Sequence, residues 1–208
     1  LDIVLVGLGN PGSEYAGHRH NVGFMALDRI IARYGFGPPK ARFKGVVSEG
    51  RIGTHKVLAL KPTTFMNRSG DAVAEAIRFY KLPPERAIVL YDEIDLAPGK
   101  LRVKKGGGSA GHNGIRSIDA AIGPDFWRVR IGVGHPGTKE LVMGFVLHNF
   151  SKADRDWLDP LLDGISAEIG PMIEGQAELF MTRVAALTGP SKPINPKPVN
   201  PKPAKEAQ

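Results

Sequence analysis

Apolar residues recur along this chain in two patterns, short unbroken runs and helix-spaced stretches, and the two alternate. Residues 3–6 are an unbroken apolar run, the signature of a strand buried on both faces. From Asn21 to about Tyr34 the spacing turns helical. Val22, Met25, Ile30 and Tyr34 fall on one face, with Asn21 placed to cap the helix and Gly35 to stop it. After the break at Gly37-Pro38-Pro39, residues 43–52 and 56–61 around Gly53-Thr54 predict a β-hairpin. A turn over 62–70 leads into a predicted helix over about 71–81, with Val73, Ile77 and Tyr80 inward; Leu82-Pro83-Pro84 ends it.

The second half repeats the alternation. Residues 87–91 are another buried-type strand, 100–104 a short basic one, and 128–133 a strand alternating basic with apolar. A glycine-rich segment, 106–114, precedes a helix to about Ile122. Ser151 with Asp154 resembles a capping box opening a helical region to Leu187, which Pro160 and Pro171 are expected to kink or divide. Strands alternating with helices predict an α/β sandwich, and the hairpin makes its twisted sheet mixed, flanked by helices. The domain is expected over 1–189. Residues 190–208, rich in Lys-Pro and Asn-Pro, read as an extended, disordered tail.

The polar residues cluster where apolar runs end. Asn10, Tyr15, His18, His20 and Asn21 follow the first strand; Asp92, Glu93 and Asp95 follow the strand at 87–91; His112 and Asn113 precede a helix, as does Asn67. Loops at the carboxyl ends of buried strands are where open α/β sheets bind ligands. If the strands at 3–6 and 87–91 are neighbours, Asp92 and the loop bearing His20 emerge on the same side. A carboxylate on one imidazole nitrogen fixes the tautomer and leaves the other nitrogen to take a proton from water, which supports hydrolysis without a covalent intermediate. The amides of Asn10, Asn67 and Asn113 are suited to hold a carbonyl or to donate to developing negative charge. The plainer reading stands beside this: Asp92 as a turn cap, Asn67 and Asn113 as helix caps, Met66 as core or pocket wall. The triple glycine is a lid, an anion nest or a hinge, and Arg102, Lys104 and Lys105 before it favour phosphate.

Other chemistries fit less well. Gly7-Leu8-Gly9-Asn10-Pro11-Gly12 matches the letters of a dinucleotide fingerprint. That motif needs a helix opening inside it and an acidic residue about 20 positions on. Here Pro11 interrupts, and Asp28 falls within a helical pattern. There is no GxSxG elbow for a serine nucleophile and no HExxH-like ligand spacing. The chain has no cysteine, so disulfides, thiolate metal sites and a cysteine nucleophile are excluded. Its formal charge of +7 concentrates partly in the tail, where four lysines face one glutamate; the remainder is mildly basic, which is compatible with a nucleic-acid partner and equally with ordinary solubility charge. No apolar run reaches membrane-spanning length, and no charged-then-apolar leader opens the chain, so a cytoplasmic protein is expected. The chain also opens without an initiator Met, as it would if one or more residues preceded it.

Four segments, GLGNPGSEYAGHRHNVGF, KPTTFMNRSG, YDEIDLAPGKLRVKKGGGSAGHNGIRSI and WRVRIGVGHP, resemble those of bacterial peptidyl-tRNA hydrolases in order and spacing, over roughly residues 1–187. The resemblance implies a single α/β domain that cleaves the ester between a peptide and the 3′-terminal ribose of tRNA. It implies His20 as the general base, Asp92 as its orienting carboxylate and Asn10 as a holder of substrate near the ester. Asn67 and Asn113 would bind the peptide or terminal nucleotide backbone. Tyr15 and Met66 would line the cleft, with His112 nearby. Arg102, Lys104 and Arg130 would bind tRNA, the first two at its 5′-phosphate. No metal or organic cofactor is implied, and a monomer without an obligate protein partner is expected. One departure is Ser109-Ala110, where many members carry a histidine and a glycine. The Lys-Pro tail lies outside the family's core.

Overall fold

The computed structural model describes residues 1–189; the expected Lys/Pro-rich tail lies outside the described residues. Seven strands form one sheet: β1 (Ile3–Gly7), β2 (Lys40–Arg42), β3 (Gly45–Ile52), β4 (His55–Pro62), β5 (Ala87–Glu93), β6 (Leu101–Lys105) and β7 (Trp127–Gly132), in the order β2-β3-β4-β1-β5-β7-β6. The middle four, β4, β1, β5 and β7, are parallel; β2, β3 and β6 run antiparallel to their neighbours, so the sheet is mixed as expected.

The helices are α1 (Val22–Arg33), α2 (Ser69–Tyr80), α3 (Asn113–Ile122), α4 (Val142–Val146), α5 (Arg155–Ile173) and α6 (Ala177–Thr188). Ile3 and Leu5 pack with α1, α5 and α6 on one face of the sheet, while Val4 and Val6 pack with α2 and α3 on the other. These four side chains are almost fully buried, each worth roughly 1.5–3 kcal/mol of burial. The unbroken apolar run of β1 is therefore the mark of a central strand with two cores.

Four details differ from the sequence reading. The segment predicted as one strand from Phe43 begins with a two-residue turn, Phe43-Lys44, both at positive φ, which joins β3 to the short edge strand β2. The buried face of α1 is Val22, Gly23, Ala26, Leu27 and Ile30, with Met25 and Tyr34 at its margin. Asn21 does not cap α1 with its side chain; that amide clasps the backbone of Asn10 instead. Pro160 and Pro171 do not divide the last helical region, which breaks at Gly175 (φ 78°). Pro160 and Asp156, whose carbonyl it leaves unserved, are both exposed to water. Near Pro171, the Tyr34 hydroxyl donates to the carbonyls of Ser166 (3.0 Å) and Ala167 (3.5 Å), the latter being the acceptor that Pro171 cannot serve. Ser151 and Asp154 do bond reciprocally ahead of α5, as expected.

Because β4, β1, β5 and β7 are parallel, their carboxyl ends share one edge of the sheet, delivering Met66, Asn10, Asp92 and His135 together. The N-terminal turn of α1 crosses directly over β1 and β5. Phe24 N–H donates to the Leu8 carbonyl (3.1 Å), and any Cβ at Gly23 would collide with the Leu90 carbonyl oxygen. Only glycine allows that approach, which brings His20 down over Asp92.

Candidate active site

Asp92 lies at the end of β5 and is 3% exposed. Its carboxylate accepts from His20 Nδ1 at 2.8 Å and 3.0 Å, and from His112 Nε2 at 2.9 Å. The second nitrogen of His112, Nδ1, accepts the Ile115 backbone N–H (3.3 Å) and so caps α3. That bond fixes His112 as the Nε2–H tautomer, a donor to Asp92. His20, 6% exposed, must likewise donate from Nδ1, which leaves Nε2 as a free acceptor. The two rings stand 4.8 Å apart, and Tyr91 sets its ring edgewise on His112 at 5.0 Å.

The electrostatics follow from this packing. Burial alone would raise the Asp92 carboxyl, but the two imidazoles against it hold it well below the usual carboxylate range. Burial works against the His20 imidazolium, yet the charge and hydrogen bond of Asp92 outweigh it and raise His20 above its ordinary value. Burial pushes the Tyr91 phenol up, so it stays neutral.

His20, Asp92 and His112 also form a group whose ligand atoms lie within 4.8 Å of one another, the spacing a metal could use. The chemistry of the set argues otherwise. Two imidazole N–H groups already point at one carboxylate at ordinary hydrogen-bond lengths, and α3 consumes the remaining nitrogen of His112. A metal would need those protons displaced.

Asn10, 8% exposed, is held by three bonds. Its backbone N–H and carbonyl pair with the Asn21 side chain (both 2.9 Å), and its Oδ1 accepts the Met66 N–H (2.8 Å). Because Met66 N–H is a donor, the atom facing it is the oxygen, and the amide's Nδ2 is left as a donor. Met66 itself is buried and packs in the core beside Leu8 and Ile115, its sulfur near the Ser69 hydroxyl. Tyr15 is half-buried, edge-on to His18 and to Phe65.

His20, Asp92, His112 and Asn113 line a cavity of about 500 Å³ that Val142 and Met143 of α4 help to wall. Asn113 also faces a second, shallower groove of about 550 Å³ between α2 and α3, and Asn67 lies there with it. Neither asparagine caps a helix through its side chain; His112 caps α3, and α2 has no side-chain cap. Arg102, Lys104 and Arg130 sit further out, on the β6–β7 ladder, where Arg102 lies directly opposite Arg130 and Lys104 opposite Arg128. Arg130 pairs with Glu93 at 3.5 Å, and Glu93 lines the cavity. Arg102 and Lys104 have no carboxylate partner among the described residues, and burial together with Arg130 and Arg128 lowers the Lys104 ammonium.

Some functional placements were not visible in the sequence. The α4 wall is one: residues 145–150 are stitched to the loop before His20 by Arg19, whose Nη1 donates to the carbonyls of Phe145 and Asn149 at 3.1 and 3.2 Å. A basic residue beside His20 was the available signal, but not its partner 126 positions away. The dinucleotide alternative lacks its essential feature, since the first α-helix after the glycines opens only at Val22.

Residues 4–192 match the family described as Peptidyl-tRNA hydrolase. The chain is 57% identical over 203 residues to a protein of Rhodospirillum centenum named peptidyl-tRNA hydrolase, covering 98% of this chain and 89% of that one. A protein of the same name from Roseobacter denitrificans is 58% identical over 189 residues, 91% of this chain and 81% of its own. Among solved structures, the crystal structure of peptidyl-tRNA hydrolase from Acinetobacter baumannii superposes with a TM-score of 0.84 at 41% identity, covering 89% of this chain and 95% of that one.

Proposed function

The chain belongs to the peptidyl-tRNA hydrolase family, and from that premise we propose how its own residues cleave the ester of peptidyl-tRNA. The activity is hydrolysis of the bond between the peptide and the tRNA. His20 is the general base. Asp92 holds its Nδ1–H, and the free Nε2 takes a proton from water as the water oxygen attacks the ester carbonyl. The same Nε2–H then returns the proton to the departing ribose oxygen, so His20 ends the cycle neutral. An ester is already activated relative to an amide, and an oriented water with a tuned imidazole suffices.

The Nδ2 of Asn10 donates to the substrate near the ester, and the amides of Asn113 and Asn67 read the peptide or terminal nucleotide through backbone groups. That mode of reading is independent of peptide sequence. His112 shares the Asp92 carboxylate, so it is a second orienting group beside the base rather than only a cleft residue. Arg102 and Lys104 bind the 5′-phosphate of the acceptor stem, with Arg130 beside them. These contacts position the tRNA without reading its sequence. The protein works as a cytoplasmic monomer on this substrate, without a metal. Among the described residues no helix is long and apolar enough to cross a membrane.

The observation that carries the reading is the His20–Asp92 bond of 2.8 Å, with Nε2 left over. A single turnover in ¹⁸O-water tests it. One ¹⁸O is expected in the released peptide's carboxyl group, with none in the tRNA and no acyl-enzyme detectable by mass spectrometry. An acyl-enzyme, or label in the tRNA, would overturn direct attack by water on the acyl carbon.

A further inference from the structure

Arg128 is the largest fully buried side chain, 0% exposed, and the hydrolytic chemistry makes no use of it. It lies on β7 with its guanidinium committed on three sides. Nη2 donates to the Asp119 carboxylate of α3 at 2.7 Å and to the Pro124 carbonyl at 3.2 Å, while Nη1 donates to the Gly108 carbonyl at 2.9 Å. The cation also sits 4.3 Å over the Phe126 ring. A buried cation persists only when paired and hydrogen-bonded, and here one carboxylate and two carbonyls serve Nη1 and Nη2, while Nε has no partner among the described residues. Those partners come from α3, from the link between α3 and β7, and from the glycine loop.

The glycine loop is otherwise lightly held. Gly106 donates to the Phe126 carbonyl (3.2 Å) at its start, and Ser109 accepts from His112 (2.9 Å) at its end. Between them, the Arg128–Gly108 bond ties the loop to β7. Lys104 leans on the same stretch, since a Cβ at Gly107 would come within 3.0 Å of its Nζ. The position of that ammonium therefore depends on where the loop is pinned.

We propose that Arg128 is a positioning residue: by holding the Gly108 carbonyl it fixes the glycine loop on the β6–β7 ladder and so sets Lys104 for the terminal 5′-phosphate of the tRNA. This rests on the reading of Lys104 as a phosphate ligand. A merely structural Arg128 would affect all substrates alike, whereas a positioning role separates substrates that carry the phosphate from those that do not.

The test compares wild-type and Arg128→Gln full-length protein on N-blocked aminoacyl-tRNA bearing either a 5′-phosphate or a 5′-hydroxyl, with amide hydrogen exchange measured over residues 106–112. For the variant, kcat/KM on the phosphorylated substrate is expected to fall about tenfold through KM, the scale of one charge-assisted hydrogen bond. On the 5′-hydroxyl substrate it stays at the wild-type value. Exchange in the loop rises while that of β5 is unchanged. An equal fall on both substrates, or loop exchange like wild type, overturns the proposal. Asp119→Asn keeps the guanidinium but removes its countercharge. It is expected to show the same signature, weaker, and decides the matter should Arg128→Gln not fold. Wild type failing to distinguish the two substrates would instead remove the phosphate role of Lys104, and this proposal with it. Discrimination retained by both wild type and Arg128→Gln overturns the role of Arg128 alone.

Discussion

Around Asp92 the polar groups are turned inward: two imidazoles meet one carboxylate at 2.8–3.0 Å, and all three residues are nearly dry. Along β6 the reverse holds. Arg102 is exposed, Lys104 half-buried, and neither has a carboxylate partner among the described residues. The first region spends its hydrogen bonds on fixing one proton-accepting nitrogen, in surroundings where water does not compete. The second leaves Arg102 and Lys104 without a carboxylate among the described residues, and on the proposed function a phosphate would meet them. Sensitivity to geometry belongs to the first region and sensitivity to salt to the second.

The largest effect is expected from the buried region. Asp92→Asn keeps the shape but can donate to His20 Nδ1, which favours the wrong tautomer; kcat should drop by roughly a thousandfold or more, as orienting-carboxylate amides do elsewhere. Near-wild-type turnover would show that Asp92 does not orient the base. The pH profile sharpens the same point. A general base must be neutral to act, and Asp92 raises His20 above its ordinary value, so on the proposed function activity should be lost as pH falls through that raised value. In the residual activity of Asp92→Asn, burial is left as the dominant influence, and that acidic limb should move to lower pH. A limb that stays in place would mean another group titrates.

The basic region should respond more mildly. Lys104→Ala is expected to weaken tRNA binding by about tenfold at moderate salt and to flatten the slope of log K against log salt by about one, with kcat at saturation unchanged. A fall in kcat alone would place Lys104 in the chemistry and erase the contrast between the regions. The smallest effect concerns the glycine loop. Ala110 holds φ 49°, a left-handed conformation that costs a non-glycine residue about 1 kcal/mol. Ala110→Gly should therefore raise stability by no more than about 1 kcal/mol, because the glycine also loosens the unfolded chain. Denaturant melts would show it, and a clear loss of stability would mean the strain is relieved elsewhere.

What the sequence made legible follows the same division. The strands β1 and β5 announce themselves because a strand with two cores has no polar position to hide it, and the Gly53-Thr54 turn registers β3 on β4. His20, Asp92 and Asn10 stand out as polar residues at the ends of those runs, and the parallel pairing of β1 with β5 brings their segments together. The missed strand β2 is three residues long with two charges, so it carries no apolar pattern to detect. The roles of Asn21, His112 and Arg128 were hidden for another reason. Each is defined by a partner on a different segment, Asn10, Asp92 and Gly108 respectively, and local spacing offers no trace of such pairs. Asn21 in particular has the position of a helix cap and the function of a loop clasp.

The central claim, an imidazole at His20 that activates water, is tested most directly by incubating an N-blocked aminoacyl-tRNA with wild type and with His20→Ala, side by side in EDTA. Wild type is predicted to release free tRNA and the intact N-blocked amino acid. The variant, shown folded by circular dichroism, is predicted to release neither above background. Turnover by His20→Ala near the wild-type rate would contradict the account, as would activity in wild type that EDTA abolishes.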